Sequence, residues 1–187
     1  MKNSFLRSLL GLTMVAFTLA GCDKLEEADD VEFDIEVDVT FVVDENGEFS
    51  DVTYVGDPVT LSIAGNAQIQ EYADKIKEVR IKKIEYSITG YSAEPPGTQV
   101  TFSDGIMFYA SVGAANANIL STVETVNLAT ASGVDELPVD EDAFADLGAI
   151  LLEEHEATIF TAGTLTSTPV QFNIPTTFTI TIVADAL

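Results

Sequence analysis

The sequence predicts a mainly β protein, an antiparallel β-sandwich of about seven strands with two short covering helices. Two observations carry this expectation. From Val31 to Val43 every odd position is apolar (Val31, Phe33, Ile35, Val37, Val39, Phe41, Val43), while the even ones up to Thr40 are Glu32, Asp34, Glu36, Asp38 and Thr40. Such period-two alternation marks a strand with one face in a core and the other in water. Near the C-terminus the pattern returns, with Val170, Phe172, Ile174, Phe178, Ile180 and Ile182 on one face. Apolar spacing of three and four residues, the mark of a helix face, occurs over 66–78 and about 140–154.

The chain starts differently. Lys2 and Arg7 precede a mainly apolar run from Phe5 to Ala20, too short for a comfortable bilayer span and laid out like a secretory signal. The run ends in Leu19-Ala20-Gly21-Cys22, and Cys22 is the only cysteine among 187 residues. These four residues resemble the lipobox of bacterial lipoproteins. The resemblance implies that the Cys22 thiol takes a diacylglyceryl group, that signal peptidase II cuts before it, and that residues 1–21 are a leader. The small Ala20 and Gly21 let the extended backbone enter a narrow cleft, and the thiol alone can form the thioether. Covalent lipid contributes about 0.8 kcal/mol per buried methylene, so two or three chains anchor a protein stably to a membrane. The likeness covers the leader only.

Residues 22–30 form an acidic segment, Asp23-Lys24-Leu25-Glu26-Glu27-Ala28-Asp29-Asp30 behind the cysteine, which reads as a solvated, self-repelling tether. Eight residues reach at most about 28 Å. A short acidic tract in this place is similar to the signal that sends lipoproteins of the Bacteroidota to the outer face of the outer membrane. Enteric bacteria instead often read Asp directly after the lipidated Cys as retention in the inner membrane. Of the two, outer-membrane or cell-surface placement is the expectation favoured here.

Residues 31–187 are expected to form one domain; a mature chain of this length buries about 70% of its unfolded surface, enough for one core. Asn46-Gly47 after the first strand suits a type I′ hairpin turn. If Glu45 pairs with Glu48, Phe41 faces Val52 and Val39 faces Tyr54, matching the apolar faces. Asp44–Glu48 also has a faint look of a calcium loop, but the twelve-residue spacing is missing and Gly falls at the wrong offset, so a turn is expected. Over 66–78, Ile69, Tyr72, Ala73 and Ile76 share a helix face, with Asn66 as N-cap. Val79–Tyr91 reads as a strand whose parity shifts at Lys82-Lys83, a bulge signal. Ala93–Gly97 is a turn, because neither Pro95 nor Pro96 donates to a ladder. The next strand places Val100, Phe102, Ile106, Phe108 and Ala110 on one face, with Asp104-Gly105 as a kink or break. Another strand lies near 118–129. Asp140, Glu141 and Asp142 suit the positive end of a second helix burying Phe144, Leu147 and Leu151. Strands near 157–166 and 170–184 close the chain.

Charge limits the function classes. With 31 acidic and 8 basic side chains the formal charge is −23; without the leader, 6 basic and 31 acidic groups remain, a net of −25. That balance argues against nucleic acid as a partner, since phosphate contacts need a clustered basic surface. It also argues against adsorption to anionic lipid through a polybasic face. Five of those six basic residues fall between 75 and 83, either as a docking patch for an acidic partner or headgroup, or as partners of nearby carboxylates.

Catalytic signatures are thin. One Cys and one His exclude an intrachain disulfide and argue against a His-pair metal site or a Cys–His nucleophile. His155, within Glu153-Glu154-His155-Glu156, suits a helix C-terminus. No nucleophile elbow, phosphate loop or H-E-x-x-H sequence occurs, and carboxylate pairs are expected by chance among 31 acids. The expectation is therefore a non-enzymatic protein without catalytic residues, cofactor or dedicated metal site; the clustered acids at 23–38 and 135–146 leave loose Ca²⁺ binding open. The chain has no Trp to serve as a glycan platform. Among Tyr54, Tyr72, Tyr86, Tyr91 and Tyr109, Tyr91 beside the Pro-Pro turn is the candidate ligand contact, with turn packing as its other role. Two function classes result. One is an envelope lipoprotein whose sandwich binds a partner protein or has a structural role; the other is a glycan- or small-ligand-binding surface lipoprotein of an uptake system.

Overall fold

The alternation that opens at residue 31 becomes a single long strand. The computed structural model describes residues 30–186, and β1 (Asp30–Glu45) presents its odd positions inward, with Ile35, Phe41 and Val43 buried. The other strands are β2 (Val52–Val55), β3 (Val59–Ser62), β4 (Ile76–Tyr86), β5 (Thr89–Ala93), β6 (Thr101–Ala110), β7 (Asn118–Val123), β8 (Val126–Asn127), β9 (Asp135–Glu136), β10 (Glu156–Leu165) and β11 (Val170–Asp185). Two helices, α1 (Ala67–Glu71) and α2 (Glu141–Glu154), interrupt them. The first sheet runs β1-β11-β4-β9, with β5 beside β11; the second runs β2-β10-β6-β7, with β3 on β10 and β8 on β6. Every pairing is antiparallel. The protein is an antiparallel β-sandwich with two helices, as its alternation predicts. Among the described residues the seven expected strands become eleven, because 79–91 divides into β4 and β5, 118–129 into β7 and β8, and the short β3 and β9 carry no period long enough to read.

The predicted hairpin at Asn46-Gly47 does not form. β1 pairs along its whole length with β11, placing Ile35 opposite Ile180, Phe41 opposite Ile174 and Val43 opposite Phe172, whereas β2 pairs with β10 in the other sheet. The apolar row of β11 matches all sixteen residues of β1, and β2 offers four. Residues 46–51 instead carry the chain from one sheet to the other.

The bulge expected at Lys82-Lys83 is present: Thr179 faces Lys83 and Ile180 faces Ile81, leaving Lys82 as the extra residue. A second bulge overturns part of the β6 assignment. Between Ala162–Ile106 and Thr164–Ser103 the ladder shifts, β6 carrying Asp104 and Gly105 against Gly163 alone, with Asp104 at φ +49°. The extra residue reverses the parity. Phe102 stays inside, but Met107 and Tyr109 are buried beyond the bulge, and Ile106 and Phe108 lie on the opposite, half-exposed face.

The first helix is shorter than its pattern. Asn66 caps it, its Oδ1 accepting from Gln68 N at 2.9 Å, and Ile69 is buried. A 3₁₀ turn at Ala73–Lys75 follows, Ala73 is exposed, and Ile76 already starts β4. The second helix matches its prediction: Asp140 accepts from Ala143 N at 3.1 Å, and Phe144, Leu147 and Leu151 are buried. It lies against β4 so closely that a Cβ on Gly148 would come within 2.2 Å of the Val79 carbonyl oxygen. His155 ends it in the left-handed region, donating its backbone N–H to Leu151 O at 3.0 Å.

Candidate functional site

Four regions bear on function, and the lipobox residues Leu19, Ala20, Gly21 and Cys22 fall outside the described residues. The outer face of the first sheet is a charge ladder. β1 supplies carboxylates, β11 supplies short threonines, and β4 supplies cations that reach across them. Lys77 Nζ lies 2.7 Å from Asp30 and 2.8 Å from Asp185, Arg80 pairs with Glu32 at 3.0 Å, and Lys82 pairs with Asp34 at 2.6 Å. Lys83 pairs with Glu85. The Lys82 ammonium, together with the hydroxyl that Thr181 donates to Asp34, holds the Asp34 carboxyl below its ordinary range. Four of the five clustered cations are therefore committed to carboxylates of the same sheet; exposed pairs of this kind each contribute little to stability.

The outer face of the second sheet is of the opposite character. In one cross-strand row Ile119 faces Phe108, which faces Phe160; in the next Thr122, Ile106, Ala162 and Val55 lie side by side. The Phe108 and Phe160 rings stack at 4.9 Å with a 12° angle between planes, a geometry that stabilises a cross-strand pair. Ile119 is 55% exposed and Val55 65%. These two rows hold no charged residue in a chain with 31 acids; on the same two strands, Asp104 stands at the β6 bulge two residues before Ile106, and Glu156 opens β10. Sequence reasoning missed this surface because it counted Ile106 and Phe108 as core. The available signal was that β6 is apolar at both parities, which for a strand covered on one side leaves one apolar face uncovered.

The third region is the loop end where β1, β5 and β10 finish. A depression of about 640 Å³ opens there, lined by Glu48, Phe49, Glu94, Pro95 and Thr168 among others. Phe49 is 64% exposed. Thr168 braces the loops, accepting from Phe49 N at 3.0 Å and donating to the Gly47 carbonyl, while Glu94 N donates to Pro169 O at 3.2 Å. Tyr91 is half-buried nearby, its hydroxyl donated to Thr98 O at 2.5 Å across the proline turn. The fourth region is a groove of about 190 Å³ beside Tyr86, Glu124 and Asp135. Burial, then the Asp135 and Glu124 carboxylates, push the Tyr86 phenol up. Among the described residues no cluster of three or more His, Cys, Asp or Glu is placed to hold a metal ion, and no helix is long and apolar enough to cross a membrane.

No protein-family model matches the chain, and no curated protein matches it. Among solved structures it is similar to a turnip yellow mosaic virus structure determined at 100 K, with a TM-score of 0.32, 10% identity, and coverage of 84% of this chain and 96% of that one. Desmodium yellow mottle tymovirus gives 0.30, 9%, 84% and 90%. Likenesses of this size say nothing of what the chain binds or does.

Proposed function

We propose that this protein is a lipid-anchored, non-enzymatic lipoprotein of a bacterial envelope, held at the outer membrane or cell surface, whose β-sandwich binds a partner protein or has a structural envelope role. Leu19-Ala20-Gly21-Cys22 supports the anchor, through its resemblance to a lipobox. The observation that carries the binding role is the uncharged apolar double row on the second sheet, because an exposed contiguous apolar surface marks an interaction site. The anchor gives the domain an orientation. The tether meets β1 at Asp30, so the pole with Lys77 and Asp185 is the one nearest the anchor. The sixteen residues of β1 span about 50 Å and hold the loop depression away from it.

That depression supports a second reading, a glycan- or small-ligand-binding lipoprotein. The exposed Phe49 ring, the Glu48 and Glu94 carboxylates, and Tyr91 behind the proline turn are the residue types that such a ligand uses. A glycan panel presented to the purified chain separates the readings. The protein-binding reading expects no saccharide retained above background. Reproducible retention, lost in Phe49→Ala or Tyr91→Ala, would sink it in favour of the second.

A further inference from the structure

We propose that the apolar double row on the second sheet is the contact between two copies of this chain; this rests on the protein-binding reading and names the partner. Charge argues for a copy. The molecule keeps acids at alternate positions on the outer face of β1 and excludes them from both rows around Phe108 and Phe160. Against a basic partner, acids on the face would strengthen binding. Against an identical face acids without basic partners would repel, and this sheet has no Lys or Arg on its strands, so an uncharged face is the one that meets its own copy without that repulsion.

Size is sufficient. On this sheet β6 and β10 run ten residues each, β2 and β3 together flank β10, and β7 and β8 together flank β6. The whole face, about 33 Å long and four strands wide at about 4.8 Å spacing, presents on the order of 600 Å², and Asp104 and Glu156 are the charged residues of its strands. Two such faces bury about 1,200 Å², the lower end of specific stable interfaces. The packing is that of a sandwich core, one sheet laid on another with Phe108 and Phe160 at the centre and Ile119 on the edge strand beside them. If both copies are anchored in one membrane, the two-fold axis must run along the strands, which turns the faces together while keeping both tethers at the same pole. The Asp104 and Glu156 carboxylates of the two copies are then brought onto one interface, so the contact strengthens as salt screens them. A contact to a basic protein would weaken instead.

The test uses the full chain in its envelope, expressed in two differently tagged forms, with a benzophenone residue in place of Ile119. Irradiation should give a product carrying both tags. Its yield should fall several-fold in Val55→Glu, stay unchanged in Val42→Glu, which places the same charge on the 63% exposed outer face of β1, and rise with added salt. Both variants are checked for folding by resistance to protease. A product containing another protein, a crosslink to lipid or glycan only, or no product from folded chain would each overturn the proposal, as would a yield that falls with salt. Lipid labelling of the same samples separates the two readings. Unlabelled chain that still crosslinks to its copy leaves this contact standing and removes the anchor; labelled chain without the crosslink removes only the contact.

Discussion

Gly148 sits where α2 touches β4, and the carbonyl of Val79 occupies the space that a side chain would need. Alanine is the better helix former by about 1 kcal/mol, so local propensity alone predicts that Gly148→Ala stabilises. The contact is with backbone, which cannot rotate away, and overpacking of this kind costs about 1–3 kcal/mol. We expect a net loss of stability on chemical denaturation; an unchanged or higher midpoint would show that α2 stands further from the sheet. Tyr54 supplies a second residue-level outcome. Burial, with the Asp57 and Glu45 carboxylates adding, pushes its phenol up to about 12, against about 10 in an unfolded chain. Below pH 10 the phenol is neutral in both states. Between 10 and 12 the unfolded chain releases its proton first, so stability falls as pH rises through that window. The fall should be shallower in Tyr54→Phe, and parallel profiles would argue against the assigned environment.

At the scale of elements, legibility followed the length of the repeat. β1, β11 and α2 each carry a long period and a definite boundary, and each stands where its pattern places it. The partner of β1 was not legible. Asn46-Gly47 has the local chemistry of a hairpin, but the sixteen-residue apolar match to β11, more than a hundred residues away in the chain, outweighs a two-residue turn preference. The β6 reversal was half legible, since Asp104-Gly105 was marked as an irregularity without its consequence. One extra residue exchanges the two faces beyond it, and this exchange puts Ile106 and Phe108 outside. The bulge rests on Asp104 at φ +49°, where Asp is tolerated and a β-branched residue is strained. Asp104→Val should therefore lose about 1–3 kcal/mol, while Asp104→Gly keeps or raises stability; equal effects of the two in denaturation would mean that the backbone does not hold this conformation.

Over the whole molecule, charge is sorted by surface. The first sheet carries its acids and nearly all its cations on one ladder, and the second sheet carries an uncharged apolar band. Composition announced the net charge but not this division, because which acids share a face depends on pairings that cross the chain. The candidate site was legible in the same uneven way. The place of Tyr91 beside Pro95 and Pro96 is readable from the sequence, whereas the hydrogen bond that its hydroxyl donates to Thr98 O is not. Phe49 and the Phe108–Phe160 stack went unmarked, one lying in a connection without period and the other hidden in an apolar run that looked wholly buried.

The proposed role depends on the anchor, and the anchor has a direct chemical readout. Intact-mass analysis of the chain extracted from bacterial envelopes measures where it begins and what its first residue carries. The account predicts a chain starting at Cys22, without residues 1–21 and heavier than its polypeptide by a diacylglyceryl group with or without a further acyl chain, with Cys22→Ser lacking that added mass. A mature chain that begins elsewhere, or that begins at Cys22 and carries no lipid, would contradict it.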